Sequence, residues 1–475
     1  MLAGFLALPF AAALLGLALP RERGRLAVLA GAALAHLAGT ASFWVRRPGA
    51  PMAMGGGQVL VVDDLGLLVL TLVSAVFALA ALYTPGYLAG KGLRTTRTYV
   101  GCSLALLGAM SLAACTRHYG VLWVAVEAST LASAPLIAHR VTPAKLEATW
   151  KYLVLCSVGV ALALLGTFFL GLGAVTAATP ARELTVTALV AAAPSIPAPW
   201  LRAAFVLLLV GYGTKMGLAP LHMWLPDAYA EAPSPASAVL SGALSNVAFL
   251  AALRALPVLD AAGQGAFARG LLLTLGLASL VVAAAFVIRQ RDLKRLFAYS
   301  SIENYGVLAL GVGLGGAGTY GALLHAVNHS LAKTVVFFVA GNVLVLCGSR
   351  SVESLSGVAR RAPWTGALLA GGVLAIAGSP PFGLFWSELT ILRAALATPW
   401  IAVAYLALLG ATFVGMAQAT LGVLHGDEDG AASVGEPWSL VVPPAALLLG
   451  VLALGFFVPA PLEALLQGAA RVLGG

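Results

Sequence analysis

The chain has 475 residues, 60% of them hydrophobic and only 9% charged, with a formal net charge of +9 and a mean hydropathy of +0.97. A soluble domain carries roughly 25% charged residues, so this composition excludes a water-soluble enzyme and describes an all-α polytopic membrane protein. A transmembrane β-barrel would show short alternating strands, and the sequence has none.

A helix needs about 20 mainly apolar residues to cross a bilayer. Such runs recur about fourteen times, near 1–20, 26–45, 65–83, 99–115, 121–139, 150–175, 203–219, 236–255, 270–288, 296–315, 319–347, 365–392, 400–424 and 438–458. The first run lacks a basic leader and a cleavage site, and is expected to be a retained span. Basic residues favour cytoplasmic loops. With the N-terminus outside, the inner loops hold about 16 Lys and Arg: Arg21/Arg23/Arg25, Lys91/Arg94/Arg97, Arg140/Lys145/Lys151, Arg289/Arg291/Lys294/Arg295 and Arg350/Arg360/Arg361. The outer side holds about 9, and Lys215 and Lys333 fall inside spans. Both termini then face outward, and the +9 charge reflects topology, not a nucleic-acid surface.

No loop is long enough for a folded domain. The longest polar interruptions are 46–62, 176–201 and 426–437, the last with Asp427-Glu428-Asp429. Cys102, Cys115, Cys156 and Cys347 are scattered in apolar context without a Cys-x-x-Cys pair, which argues against a metal, an iron–sulfur cluster or a disulfide framework. Gly311-Val-Gly-Leu-Gly-Gly316 fits the dinucleotide fingerprint but lacks the strand that must precede it.

A weak internal repeat carries more. Pro220-Leu-His-Met-Trp-Leu-Pro-Asp227 and Pro381-Phe-Gly-Leu-Phe-Trp-Ser-Glu388 each follow an apolar helix, and each puts a carboxylate seven residues after a proline. Proline breaks the helix, and a membrane tolerates such breaks only where backbone is buried in protein or lines a cavity. Broken helices in corresponding positions of two halves, here the seventh and twelfth spans, point to a transport pathway.

Apart from loop charges, Glu127, Lys215, His325, His329, Lys333 and Glu388 lie at membrane depth, with Glu303 and His222 nearer helix ends. Ionisable groups there are costly and mark ion pathways. Glu127 and Lys215 have opposite sign in neighbouring spans and are expected to meet. His325, His329 and Lys333 recur every fourth residue and share one helix face, and imidazole can both accept and donate a proton. The set has the composition of a proton relay. Any single pair also reads as a structural ion pair, and His325/His329 as metal ligands, though without a third ligand. His222 and Asp227 are expected in the loop after the break, satisfying freed backbone groups.

The segment Lys215-Met-Gly-Leu-Ala-Pro-Leu-His-Met-Trp-Leu-Pro-Asp-Ala-Tyr-Ala-Glu-Ala-Pro-Ser-Pro-Ala-Ser-Ala238 resembles the signature of the antiporter-like subunits of respiratory complex I and their relatives. Arg291-Asp-Leu-Lys-Arg-Leu-Phe-Ala-Tyr-Ser-Ser-Ile302 and Pro380-Pro-Phe-Gly-Leu-Phe-Trp-Ser-Glu388 are similar to two further motifs of that family. The resemblance implies fourteen helices in two inverted five-helix repeats, with helices 7 and 12 broken. Helices 1–3 would occupy 1–98, the repeats 99–258 (helices 4–8) and 259–425 (helices 9–13), and helix 14 would lie in 426–475. It further implies proton translocation with no cofactor in this chain. By position, Glu127 matches the family's fifth-helix glutamate, Lys215 its seventh-helix lysine, His325 to Lys333 its polar eleventh helix, and Glu388 its twelfth-helix ionisable group. One departure is Asn246, where complex I members usually place a lysine in helix 8; as a relay member it can hydrogen-bond water but not carry the charge, so the central link is expected to be water-mediated there or supplied by Lys333. Asn246, Asn328-His-Ser-Leu-Ala-Lys333 and Ser301-Ile-Glu303 look most like the F component of hydrogenase-4-type complexes.

The expected function is a non-catalytic, proton-translocating membrane-arm subunit of a bacterial or archaeal cytoplasmic-membrane oxidoreductase, or one exchanging sodium for protons. Its partners would be other membrane-arm subunits and a cytoplasmic redox arm, and any nickel–iron, iron–sulfur or flavin cofactor would belong to those partners. The rivals are a subunit of a secondary Na⁺/H⁺ antiporter assembly, the membrane partner of a bicarbonate-uptake pair, and a non-conducting scaffold.

Overall fold

The structure is a computed structural model that describes residues 2–47, 52–53, 57–181, 183–425 and 434–474. The acidic run Asp427-Glu428-Asp429 lies outside the described residues. Among them, ten helices are long and apolar enough to cross a membrane. Leu2–Ala18, Ala198–Met216, Leu293–Leu314 and the interrupted pair Pro363–Ile376 and Gly383–Ala395 complete a series of fourteen spans. In chain order the third to sixth are Asp64–Gly90, Arg97–Ala114, Tyr119–Ile137 and Pro143–Val175. The eighth, ninth, eleventh and thirteenth are Ser234–Ala261, Gly265–Val287, Ala317–Leu346 and Pro399–Leu424.

Several helices start where a polar side chain accepts from the free N–H groups of the first turn. Thr96 Oγ1 accepts from the Tyr99 N–H at 3.0 Å, and Asp292 Oδ1 from those of Lys294 and Arg295 at 2.9 and 3.0 Å. Within the spans, hydroxyls turn back on their own helix: Thr84 donates to the Ala80 carbonyl and Ser111 to that of Leu107, both at 2.7 Å. Lipid offers no partner, so the chain supplies one. Small residues let helices touch backbone to backbone. Gly159 and Gly211 face each other between spans 6 and 7, and Gly276 and Gly306 do so between spans 9 and 10.

Among the described residues, elements additional to the expected spans include the two-residue strand pairing of Met52–Ala53 with Val61–Val62, the short helix Val186–Ala192, and the helix Ala460–Val472. The last buries Leu465, Leu466, Ala469 and Ala470 on one side and is too short and too polar for a search that seeks 20-residue apolar runs.

Ion pairs bind the loops into two ends. At one end Arg25 donates to the Thr95 carbonyl, Lys151 and Arg295 pair with Asp227, and Arg350 pairs with Glu231 and Asp292. At the other, Arg47 pairs with Asp64, Arg269 pairs with Asp260, and Arg269 also donates to the Leu473 carbonyl. The alternating spans bring both ends of the chain to this second side. Lys294, assigned to a loop, instead lies in the first turn of the tenth span, and Arg254 caps the helix Ser245–Leu253; they are 1% and 2% exposed. Each is buried because it is partnered: Lys294 donates to the Ala232 carbonyl at 2.5 Å, and Arg254 pairs with Asp63.

Asp63 opens the third span by accepting from the Gly66 N–H at 2.8 Å, and Arg117 lies 3.6 Å away. Burial alone would raise its carboxyl, but Arg254, Gly66 and Arg117 together hold it below the usual carboxylate range. The lowered value means that the pair stabilises the fold fully above pH ~3.9 and is lost as the pH falls through the folded-state value. Asp63→Asn, which can still cap the helix, is expected to cost about 3–5 kcal/mol by leaving Arg254 buried without its counter-charge. Thermal melts in detergent should show a lowered melting temperature at pH 7 and a gap to the unaltered protein that closes below about pH 4.

Candidate functional site

The seventh span stops at Met216, where Gly217 takes the left-handed conformation (φ +98°) and packs against Leu225 so closely that a Cβ would lie 2.3 Å from its Cδ1. A turn over 218–224 with a cis Ala219–Pro220 bond leads to the helix Leu225–Glu231. Lys215, one residue before the end, is 1% exposed. Its ammonium donates to Thr130 Oγ1 at 2.9 Å and to the Tyr152 hydroxyl, which shares a 2.5 Å bond with Ser133 Oγ.

The expected contact between Lys215 and Glu127 is not made. Among the described residues no ion pair joins them. Glu127 is close enough to act on Lys215 electrostatically, but it lies on the part-exposed outer side of span 5 and accepts from Ser157 of span 6 at 3.4 Å. Thr130, one turn further along, takes the ammonium in its place.

Between the halves stands a column of aromatic rings. Trp224 lies edge-on between Tyr152 and Tyr229, with ring centroids at 5.0 and 5.9 Å, and donates its indole N–H to the Thr214 carbonyl at 2.8 Å. The Tyr229 and Tyr305 hydroxyls are 3.2 Å apart. They meet at a π-helical turn, Leu240–Leu244, within the eighth span. Tyr229 donates to the Leu240 carbonyl at 3.1 Å, Tyr305 to that of Ser241 at 3.2 Å, and Ser241 Oγ lies 3.0 Å from Ser301 Oγ.

The second half begins at the Tyr305 ring, 5.3 Å from His329. His329 stacks with His325 at 6.2 Å, as their four-residue spacing predicts, and neither of its ring nitrogens has a hydrogen-bond partner among the described residues. His325 bonds Asn304 Oδ1 and Ser387 Oγ, both at 3.0 Å. Lys333 is on the expected face, but its ammonium turns to the tenth span, donating to the Phe297 carbonyl at 3.0 Å and to Ser300. Asn246 sits beside the column: its amide N–H groups go to the Gly242 carbonyl at 2.9 Å and to Ser330 Oγ at 2.8 Å. Glu388 follows the second break, which holds a cis Pro380–Pro381 bond and Gly378 at φ +65° with the carboxylate packed against it. It lines an open cleft of ≈ 330 Å³ with Tyr405, Phe385 and Phe413.

Glu303 lies mid-helix at 4% exposure, not near a helix end, with Lys333 close by and Thr412 of span 13 hydrogen-bonded to it. His222 does occupy the turn and bonds the Pro220 backbone. Asp227 does not serve freed backbone groups, because it is part of the return helix and is bridged by Lys151 at 2.9 Å and Arg295 at 2.5 Å. Among the described residues no three His, Cys, Asp or Glu side chains converge in a metal-binding group.

A search for charges passes over Tyr152, Trp224, Tyr229, Asn304 and Tyr305, because none is ionised near neutral pH. One signal was available: Ser300-Ser-Ile-Glu-Asn-Tyr305 puts five polar residues in six positions of an otherwise apolar span. Chemically, the buried groups include phenols and imidazoles that both donate and accept, an ammonium, and carboxylates at the outer margins. Such groups can hold and pass protons.

Residues 117–414 match the family described as NADH:quinone oxidoreductase/Mrp antiporter, TM. The chain is 38% identical to a hydrogenase-4 component F homolog of Methylacidiphilum infernorum, over 85% of this chain and 86% of that one. It is 34% identical to NADH-quinone oxidoreductase subunit N of Desulforudis audaxviator, over 74% and 69% of the two chains. A chain of the archaeal membrane-bound sulfane sulfur reductase superposes on all of it with a TM-score of 0.91 at 24% identity and 97% coverage of that chain, a likeness of fold. With the family matched over more than half its length and a relative of this similarity, the chain belongs to the NADH:quinone oxidoreductase/Mrp antiporter transmembrane family.

Proposed function

We propose that this chain is the proton-translocating membrane-arm subunit of a redox-driven complex of the membrane-bound hydrogenase or NADH:quinone oxidoreductase type. The observation that carries the proposal is the buried polar column running from Lys215 and Tyr152 to His329, His325 and Ser387, with Glu127 and Glu388 at its two outer margins. Its intramembrane groups suit protons better than an organic substrate. A proton would enter the first half near Glu127 and Lys215, cross to the imidazoles, and leave by Glu388. Cofactors and electron transfer would belong to partner subunits on the cytoplasmic side of a bacterial or archaeal membrane, with both termini of this chain outside. The Mrp branch of the matched family supports a second reading, a subunit of a secondary Na⁺/H⁺ antiporter assembly.

Moving one charge against 100 mV costs about 2.3 kcal/mol, so a relay must change a site's proton affinity by at least that order. Lys215 is suited to this role. Its ammonium is held by two neutral oxygens with a carboxylate nearby but unbonded, so a proton arriving at or leaving Glu127 alters the field on it without breaking a contact.

Lys215→Ala should leave the complex assembled and abolish ion movement, read as the pH change on the two sides of membrane vesicles during turnover. Undiminished movement would sink the relay. Tyr152→Phe keeps the ring and removes the hydroxyl shared by Lys215 and Ser133. A hydrogen bond to a charged group contributes about 1.5–3 kcal/mol, so translocation in the same assay should slow by about one to two decades.

A further inference from the structure

We infer that protons pass between the two halves through a hydroxyl cluster built on the π turn of the eighth span, with Tyr229 and Tyr305 as its phenols, and not through Asn246. This rests on the relay proposed above and supplies the link between its halves.

Tyr229 belongs to the return helix after the first break and Tyr305 to the tenth span, so their 3.2 Å contact joins the first half to the second. Ser241 and Ser301 make a parallel join at 3.0 Å. All four residues are buried, Tyr229 at 1% exposure and the others at 0%. Asn246 also spans the two halves, through Ser330, but its amide N–H groups are both committed as donors. An amide can relay a proton only by changing tautomer, whereas a hydroxyl donates one proton while accepting another.

The π turn gives the cluster a way to be set and reset. A π turn shifts the helix's hydrogen bonds from the fourth to the fifth residue, and such turns concentrate at functional sites. Here the Leu240 carbonyl, which takes the Ser245 N–H, also accepts from Tyr229 at 3.1 Å, and the Ser241 carbonyl, which takes the Ser245 hydroxyl at 2.5 Å, also accepts from Tyr305 at 3.2 Å. Bonds between hydroxyl and oxygen usually measure about 2.7–2.8 Å, so neither phenol proton is tightly held. Each proton has competing acceptors, a carbonyl and the neighbouring phenol, and for Tyr305 also Ser241 Oγ at 3.4 Å. With both on carbonyls the link is open. When the Tyr229 proton turns to Tyr305, a proton arriving on the Tyr229 oxygen releases it to the Tyr305 oxygen, which in turn releases its own proton toward the unpartnered His329 imidazole beside its ring. Each oxygen gains one O–H bond as it loses one, the imidazole takes up the proton that leaves, and the cluster ends with its original number of protons, needing only rotation of the hydroxyls to reset.

The test uses membrane vesicles holding the assembled complex and reads ions moved per electron transferred. Tyr305→Phe and Tyr229→Phe keep the ring contacts and are expected to leave electron transfer in place while lowering this ratio on the order of ten-fold or more. The solvent deuterium isotope effect on the remaining movement should rise, which a loss of packing alone would not cause. Tyr299→Phe, on the same helix but stacked on Phe286 at 5.3 Å, is the control and should match the unaltered protein. If a phenylalanine variant fails to assemble, Ser241→Ala reads the same cluster. Unchanged ratios in both tyrosine variants, with Lys215→Ala inactive, overturn the tyrosine link and leave the relay standing. Full movement in Lys215→Ala overturns the relay, and the link with it.

Discussion

An ammonium in a low-dielectric interior must be surrounded by oxygen, and much of this structure follows from how Lys215 meets that need. Thr130 and Tyr152 approach it from spans 5 and 6, which requires the sixth and seventh spans to pack closely. Gly159 and Gly211 allow that approach. The helix must then end within a residue of the lysine, because the chain turns at Gly217 to bring Trp224 against the same tyrosine and Tyr229 against Trp224. The break therefore places the polar groups of the second half within reach of the first.

The two ends of the bundle are secured differently from its middle. At the ends, guanidinium groups bridge loops that are far apart in the chain. Arg350 joins the return helix after span 7 to the start of span 10, and Arg295 reaches Asp227 across the same gap. Lys294 of the Arg291–Ile302 motif thus serves the fold of the Lys215–Ala238 motif: it donates to the carbonyl of Ala232, which caps the return helix, and Arg350 donates to that of Ala230, at the end where the helix dipole favours cations. In the middle, by contrast, the Lys215 and Lys333 ammonium groups take hydroxyl and carbonyl oxygens, and the other contacts are among hydroxyls, amides and imidazoles. Fixed ion pairs suit a scaffold, and neutral groups that can both donate and accept suit a path on which the protonation state must change.

The repeat of the two broken helices is real in backbone terms and unequal in chemistry. Both breaks carry a cis proline bond and a left-handed glycine. Yet the carboxylates seven residues after the prolines part company. Asp227 is bridged by two cations at the bundle's end, whereas Glu388 faces an open cleft beside Tyr405. A shared spacing therefore did not carry a shared role.

Read alone, the sequence determined the class, the number and order of the spans, the two breaks, and the ionisable residues at membrane depth. These follow from local quantities: about 20 apolar residues per crossing, proline's missing donor, and the cost of an isolated charge. The sharing of one face by His325 and His329 was legible for the same reason, since helical spacing is local. What only the tertiary structure decided is which partner each charge takes. Glu127 turns to Ser157 and Lys215 to Thr130 and Tyr152, and Lys333 turns to Ser300. Arg254 and Lys294 are buried because Asp63 and the Ala232 carbonyl, far away in the chain, come to meet them. The phenols at the π turn belong to the same class: no charge marks them in the sequence, and their proximity depends on helix packing across the two halves.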